Sequence, residues 1–196
     1  MSISKRVIWY FPGLDRGGDV LDVDVFPGFT CEGVYLAGGI VLRFGPRCVL
    51  IEVELLGPAK MGFDKVAKLV LEKFEDIEHI VYPEEVRKDI VKSKEELEQE
   101  ARECFEHACP DEYLLLEDDT DLVDLHNIIQ YNPNTDTFII NIRTSKIARA
   151  EESPLGVKLY RDHKGRIARI EVPEATKKGL LQAVYRYIVR EVETEQ

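Results

Sequence analysis

The last third of the chain repeats the order of strand, turn and helix found in the first third, and this constrains the fold more than any single motif. Tyr10-x-Pro12 matches Tyr131-x-Pro133, and Asp19 opens DVLDVDV as Asp136 opens DTFIINI. The set Leu21, Val23 and Val25 corresponds to Phe138, Ile140 and Ile142, each alternating with polar or outward residues as a half-buried strand does. Fourteen positions separate Val25 from Gly39, and fourteen separate Ile142 from Gly156. Gly39-Ile-Val-Leu42 then matches Gly156-Val-Lys-Leu159, and Ile51-Glu52-Val53 matches Ile170-Glu171-Val172. In this alignment two gaps differ, seven residues against three from Pro to Asp and thirteen against fifteen from Gly to Glu. Both fall in turns, where insertions cost little.

Each unit ends in a predicted amphipathic helix. Phe63, Val66, Leu69, Val70, Leu71 and Phe74 line one, and Leu180, Leu181, Val184, Tyr185, Ile188 and Val192 line the other. A small meander with one helix is marginal alone, whereas two copies can bury their faces against each other. The expected fold is therefore α+β, with two antiparallel β-meander-plus-helix repeats related by a pseudo-twofold and a helical insert between them. The units are 1–75, an insert and acidic connector over 76–125, and 126–196. Within the insert, Tyr82-Pro83 opens a short helix carrying Val86 and Ile90. Ser93 and Glu96 form a capping box, after which Leu97, Ala101, Cys104, Phe105 and Ala108 follow at helical spacing until Pro110. These helices are expected to pack over one side of the sheets.

Composition narrows the function classes. Lys and Arg number 26 against 37 Asp and Glu, a net charge of −11 over 196 residues. Sequence-independent nucleic-acid binding needs a positive surface, so nucleic acid is not an expected partner. The dense positive cluster KLYRDHKGRIAR (158–169) reads as a solvated strand-turn-strand. The longest charge-free stretch near the middle, between Gly33 and Arg43, is half the roughly 20 residues a bilayer span needs, so no membrane role is expected. The N-terminal MSISKRVIWYFPGLD lacks an apolar run with a cleavage site, which points to the cytoplasm. Asn and Gln occur four times each, a trend of proteins from heat-loving organisms, in which intracellular disulfides are less rare. A chain of this length buries roughly 70% of its unfolded surface and needs neither metal nor disulfide to hold together.

The chemistry-bearing clusters each have a plainer reading. Cys104-x-x-His107-x-Cys109 offers zinc donors, with Cys31, Cys48 or His126 as a distant fourth ligand. Cys104 also lies on the apolar stripe of its helix, so core packing is favoured over zinc, and a Cys104–Cys109 disulfide is disfavoured by helix geometry. Glu117, Asp118, Asp119, Asp121 and Asp124 form an acidic run that could hold a divalent cation but lacks the spacing of a calcium loop. A solvated loop with Thr120 or Asp121 as a cap is favoured instead. GLDRGGD (13–19) could form an anion-binding nest beside Arg16, but without G-K-[ST] it reads as a hairpin turn. Glu52 and Glu171, related by the repeat, would share a proton if they met near the pseudo-axis. No G-x-S-x-G or H-E-x-x-H motif occurs. No catalytic, cofactor-binding or metal residue is assigned.

The C-terminal unit resembles a known family. Tyr131, Pro133, Asp136, Gly156, Val157, Asp162, Gly165, Ile167, Ile170, Glu171, Glu174, Ala175 and Lys177 stand where the small archaeal and bacterial domain-of-unknown-function family 2283 has its motif residues. Asn132 replaces a usual Asp and Thr176 a usual Ser, and the resemblance covers about 126–180. It implies a small α+β meander without an established activity. Family genes often lie beside small toxin-like ribonuclease genes, which implies an antitoxin-like binding role. The expectation is a non-enzymatic protein-binding or assembly module, with a protein partner or self-association. The alternative is a metal-dependent hydrolase or nuclease using Asp118, Asp119 and Asp121.

Overall fold

The computed structural model describes residues 6–13, 18–80 and 93–194. β1 (Ile8–Phe11), β2 (Val20–Asp24), β3 (Glu32–Leu36), β4 (Ile40–Phe44) and β5 (Leu50–Leu56) form an antiparallel sheet in the order β1-β2-β5-β4-β3. α1 (Phe63–Lys73), the single turn α2 (Ile77–Ile80), α3 (Lys94–Glu106) and α4 (Asp111–Leu114) follow. A second sheet is built from β6 (Ile129–Asn132), β7 (Thr137–Asn141), β8 (Ile147–Glu152), β9 (Lys158–Asp162) and β10 (Ile167–Pro173), in the matching order β6-β7-β10-β9-β8. α5 (Leu181–Thr194) closes the chain. Each sheet is thus a hairpin followed by a three-stranded meander whose last strand returns beside the hairpin.

The two sheets correspond position by position. Leu21 opposes Leu55 and Leu42 opposes Val53 in the first; Phe138 opposes Val172 and Leu159 opposes Ile170 in the second. All four equivalences share one offset of 117 residues. Even the irregularity is shared: the ladder shifts between Arg43 and Phe44 on one side and between Ile167 and Arg169 on the other. The difference of thirteen against fifteen residues expected between Gly and Glu is therefore absent. Val53-Glu54-Leu55, not Ile51-Glu52-Val53, corresponds to Ile170-Glu171-Val172. Only the β1–β2 and β6–β7 turns differ in length.

The helices cross between units. Gly62 and Gly179, again 117 apart, precede α1 and α5 with φ of 107° and 113°. A Cβ on Gly62 would stand 2.7 Å from the Ile129 carbonyl oxygen in β6, and one on Gly179 would overlap the Ile8 carbonyl oxygen in β1. Each helix therefore starts against the first strand of the other unit. Near the far ends, Lys73 donates to the Pro133 carbonyl at 2.7 Å, while Arg190 forms an ion pair with Asp19. These basic residues are also 117 apart. In both units a tyrosine hydroxyl donates to the aspartate that opens the next strand, Tyr10 to Asp19 and Tyr131 to Asp136. Reciprocal contacts of this kind are what a pseudo-twofold requires. The inner faces meet in one core that includes Tyr10, Leu21, Val53, Phe63, Val70, Phe138, Ile170, Val184 and Tyr187. Phe63 and Tyr187 pack edge to face at 5.4 Å, and both touch the Tyr10 ring.

Two strands escaped the sequence reading. β3 and β8 are the matching outer strands of the two sheets. All six residues of β8 are exposed, so no alternation marks it. The helix expected at Tyr82-Pro83 and the anion nest around Arg16 lie outside the described residues.

Candidate interaction face

α3 forms where its local sequence directs. The Ser93 hydroxyl accepts from the Glu96 N–H at 3.2 Å, and the Glu96 carboxylate accepts from the Ser93 N–H at 2.7 Å. The capping box satisfies two orphan donors of the first turn. Glu95 and Glu96 add negative charge at the positive end of the helix dipole. Packing, however, departs from expectation. None of the α3 residues is buried. Phe105 is 90% exposed and Leu97 49%, and Ala101 and Ala108 on the same stripe are exposed as well.

Two disulfides hold this helix region to the first sheet. Cys104 bonds Cys31, just before β3, with Cα atoms 5.5 Å apart. Cys109 bonds Cys48, in the β4–β5 turn, at 4.6 Å. Between them the Arg47 N–H donates to the His107 carbonyl at 2.8 Å. Cys48 sits at φ 59°, where its counterpart in the second unit is Gly165 at φ 83°. The first unit thus places a cysteine where a left-handed turn favours glycine. These bonds correct the expected core role of Cys104. They also remove Cys104, Cys109, Cys31 and Cys48 as thiolate ligands for zinc with His107 or His126. Sequence reasoning missed the pairs because the partners lie 73 and 61 residues apart and only the fold brings them together.

Further exposed apolar side chains follow the staples in the chain. Tyr113, Leu115 and Leu116 around α4 are all exposed. An amphipathic helix normally turns its apolar stripe to the core, and contiguous exposed stripes mark interaction sites. α3 instead turns to the body a cysteine bridge.

The acidic run has arginine partners. Glu117 accepts from Arg143 at 3.1 Å and from the Ile167 N–H at 3.1 Å. Burial pushes its carboxyl up, against those two hydrogen bonds. Arg166 is a buried hub, donating to Asp162 at 2.8 Å, Asp118 at 3.0 Å and Asp121 at 3.2 Å. Asp119 accepts instead from the Ala37 N–H at 2.8 Å, and Asp124 caps the following turn through the His126 N–H. The run is the expected exposed loop, but it is tied down at Glu117, Asp118 and Asp121 by Arg143 and Arg166, and Asp124, not Thr120 or Asp121, supplies the cap. Asp118, Asp119 and Asp121 do not form a group of three within metal-ligand distance. Among the described residues that arrangement occurs at Asp22, Glu52 and Glu54. There Arg43 engages Glu54 through both carboxylate oxygens at 2.8 Å.

The tied loop carries a pH signature. The Thr120 hydroxyl and N–H, helped by Arg166, lower the Asp118 carboxyl to about 2. Burial opposes ionisation of Asp162, but the Arg166 side chain and N–H, with Ser145 and the Lys164 N–H, bring it below its ordinary value. Both folded values lie below the unfolded value of about 3.9, so their contribution is full above that pH and is lost as pH falls below it, for Asp118 towards about 2. Arg166→Met strands the buried Asp162 and should cost about 3 kcal/mol at pH 7. Urea unfolding should show the gap from wild type narrowing at pH 2.5, where the stranded aspartates take up protons. A gap independent of pH would exclude this account of the loop.

Glu52 and Glu171 do not meet. Glu52 faces outward with Asp22 and Glu54 on the first sheet. Glu171 accepts from Tyr160 at 2.8 Å and from Arg169 at 3.4 Å on the second. By the 117 offset the partner of Glu171 is Glu54, and that of Glu52 is Arg169. On the outer face of the second sheet, Gln130, Asn141, Arg169, Thr144 and Ser145 line a shallow cleft of about 330 Å³. Among the described residues, no helix is long and apolar enough to cross a membrane.

Comparison with protein families, with curated proteins and with solved structures finds no match for this chain.

Proposed function

We propose that this chain is a non-enzymatic protein-binding module that presents the apolar stripe of α3 to a partner. The observation that carries the reading is the exposure of Leu97 and Phe105 on a well-capped helix that is stapled to the first sheet by Cys31–Cys104. A helix held in place before binding loses less conformational entropy when its partner docks. The two crossed units serve as the rigid body on which the helix is mounted, and their constant offset supports reading them as copies of one ancestral repeat. The resemblance of 126–180 to family 2283 supports an antitoxin-like role for such a module. The proposed setting is the cytoplasm of a heat-loving organism, where low amide content and structural disulfides occur together.

Lys94 provides the test, because its side chain is 85% exposed and lies at the head of the stripe. Amine cross-linking in a lysate of the source organism should join Lys94 to a peptide of another protein. Leu97→Ser/Phe105→Ser should abolish that link while leaving links within the chain unchanged. Lys94 links confined to this chain would overturn the reading.

A further inference from the structure

We infer that the occupant of the α3 face is a cationic amphipathic helix belonging to a different protein; this rests on the protein-binding reading above and names the partner's chemistry. Three observations carry it. First, charge: between Lys94 and Glu106 there are six glutamates against Lys94 and Arg102, a net charge of −4 on a chain of net −11. A second copy would bring a like-charged helix to the same place, and facing like charges cost several kcal/mol at an interface. A partner rich in Lys and Arg meets the opposite field and is steered towards it. Lys94 itself is engaged with Glu98 at 3.7 Å, so the local field is not reversed at the head of the stripe.

Second, shape. Leu97, Ala101 and Phe105 recur at i, i+4 and i+8, which sets a small residue between two large ones along one ridge. The notch over Ala101 accepts a side chain from a partner helix, as ridges pack into grooves. α3 offers no strand edge, so an extended peptide would find no ladder to join. Helical spacing places Glu98 on the outer border of the stripe, where a partner's lysines or arginines would flank its apolar ridge, whereas Glu100 lies on the body side of Cys104 with one carboxylate oxygen buried. Third, length: thirteen residues span about 20 Å, enough to seat three to four turns of a partner. Cys104 anchors the same helix through Cys31, so the face stays in place when the partner arrives.

The test is fluorescence anisotropy with a labelled synthetic peptide of Leu and Lys in amphipathic helical spacing. The controls are a scrambled peptide of identical composition and a third in which Glu replaces each Lys. Oxidised full-length protein should bind the amphipathic Lys peptide at least tenfold more tightly than the scrambled one, and should not bind the Glu peptide. Leu97→Ser/Phe105→Ser changes two exposed side chains and should weaken binding at least tenfold with an unchanged circular dichroism spectrum. Equal binding of the scrambled peptide, or by the variant, would reduce the interaction to diffuse charge attraction and overturn the inference. Sedimentation velocity separates the remaining outcomes. A dimer that the double substitution dissolves would overturn the cationic partner while leaving a protein-binding face standing. A monomer that binds none of the peptides, with no Lys94 link to another protein, would remove both.

Discussion

Gly179→Ala should destabilise the protein by about 3 kcal/mol or more and lower its melting temperature by roughly 6–12 °C. Two effects add at this position. The backbone stands at φ 113°, a conformation that side chains with a Cβ rarely adopt. The new methyl group would also overlap the Ile8 carbonyl, which belongs to the first strand of the opposite unit. Gly62→Ala should act in the same direction for the reciprocal reason, against Ile129, with a Cβ–oxygen approach of 2.7 Å. The informative comparison is Gly165→Ala. That glycine also has positive φ, 83°, yet nothing stands within 4 Å of where its Cβ would be. It should cost only the conformational part, about 1 kcal/mol. If all three substitutions cost the same, the crossed seating of the helices on the opposite strands is wrong. Thermal unfolding followed by circular dichroism makes the comparison.

Removing the staples should give the second large effect, and a local one. Each disulfide closes a loop of about 60 to 70 residues, for which a chain-entropy account gives about 4 kcal/mol. The two loops overlap, so removing both should cost less than twice that. Since α3 contributes no buried side chain, Cys31→Ser/Cys104→Ser should leave the two sheets intact and release the helix. Hydrogen exchange should therefore rise throughout 94–106 in the variant, with β2, β5, β7 and β10 still protected. Cys48→Ser/Cys109→Ser should in addition loosen the β4–β5 turn, because Cys48 sits at φ 59° and Cys109 is buried. Protection of α3 unchanged after loss of both bonds would show that contacts other than the disulfides hold it.

The likeness of the two β units was legible in the sequence because its signals are local. Tyr10 and Tyr131, Asp19 and Asp136, and Gly39 and Gly156 stand at turns and strand starts, where the residue type is dictated by backbone geometry or a nearby hydrogen bond. The alignment slipped by two residues in the last strand for a physical reason. Side chains in a strand alternate with period two, so Ile51-Glu52-Val53 and Val53-Glu54-Leu55 present the same inside-outside pattern. Only the ladder, with Val53 opposite Leu42 and Ile170 opposite Leu159, distinguishes them. That slip also misassigned the partner of Glu171.

The interaction face was half legible. Ser93 and Glu96 announce α3, and the spacing of Leu97, Ala101, Cys104 and Phe105 marks its apolar stripe. Spacing alone assigns such a stripe to the core, because most amphipathic helices are buried on that side. What turns it outward is the pair of cysteine bonds, whose partners Cys31 and Cys48 sit in turns of the first sheet. Nothing near either turn in the sequence points to residue 104 or 109. The acidic run was similarly ambiguous, since its counter-ions Arg143, just after β7, and Arg166, just before β10, lie more than twenty residues downstream.

Native mass spectrometry of the protein isolated from its own source organism tests the central claim most directly. The account predicts a complex in which the 22.5 kDa chain carries a second, different protein. That extra mass should disappear when Leu97→Ser/Phe105→Ser is expressed in place of the natural chain. A bare chain, or one carrying only a metal or small ligand with no change on substitution, would contradict it.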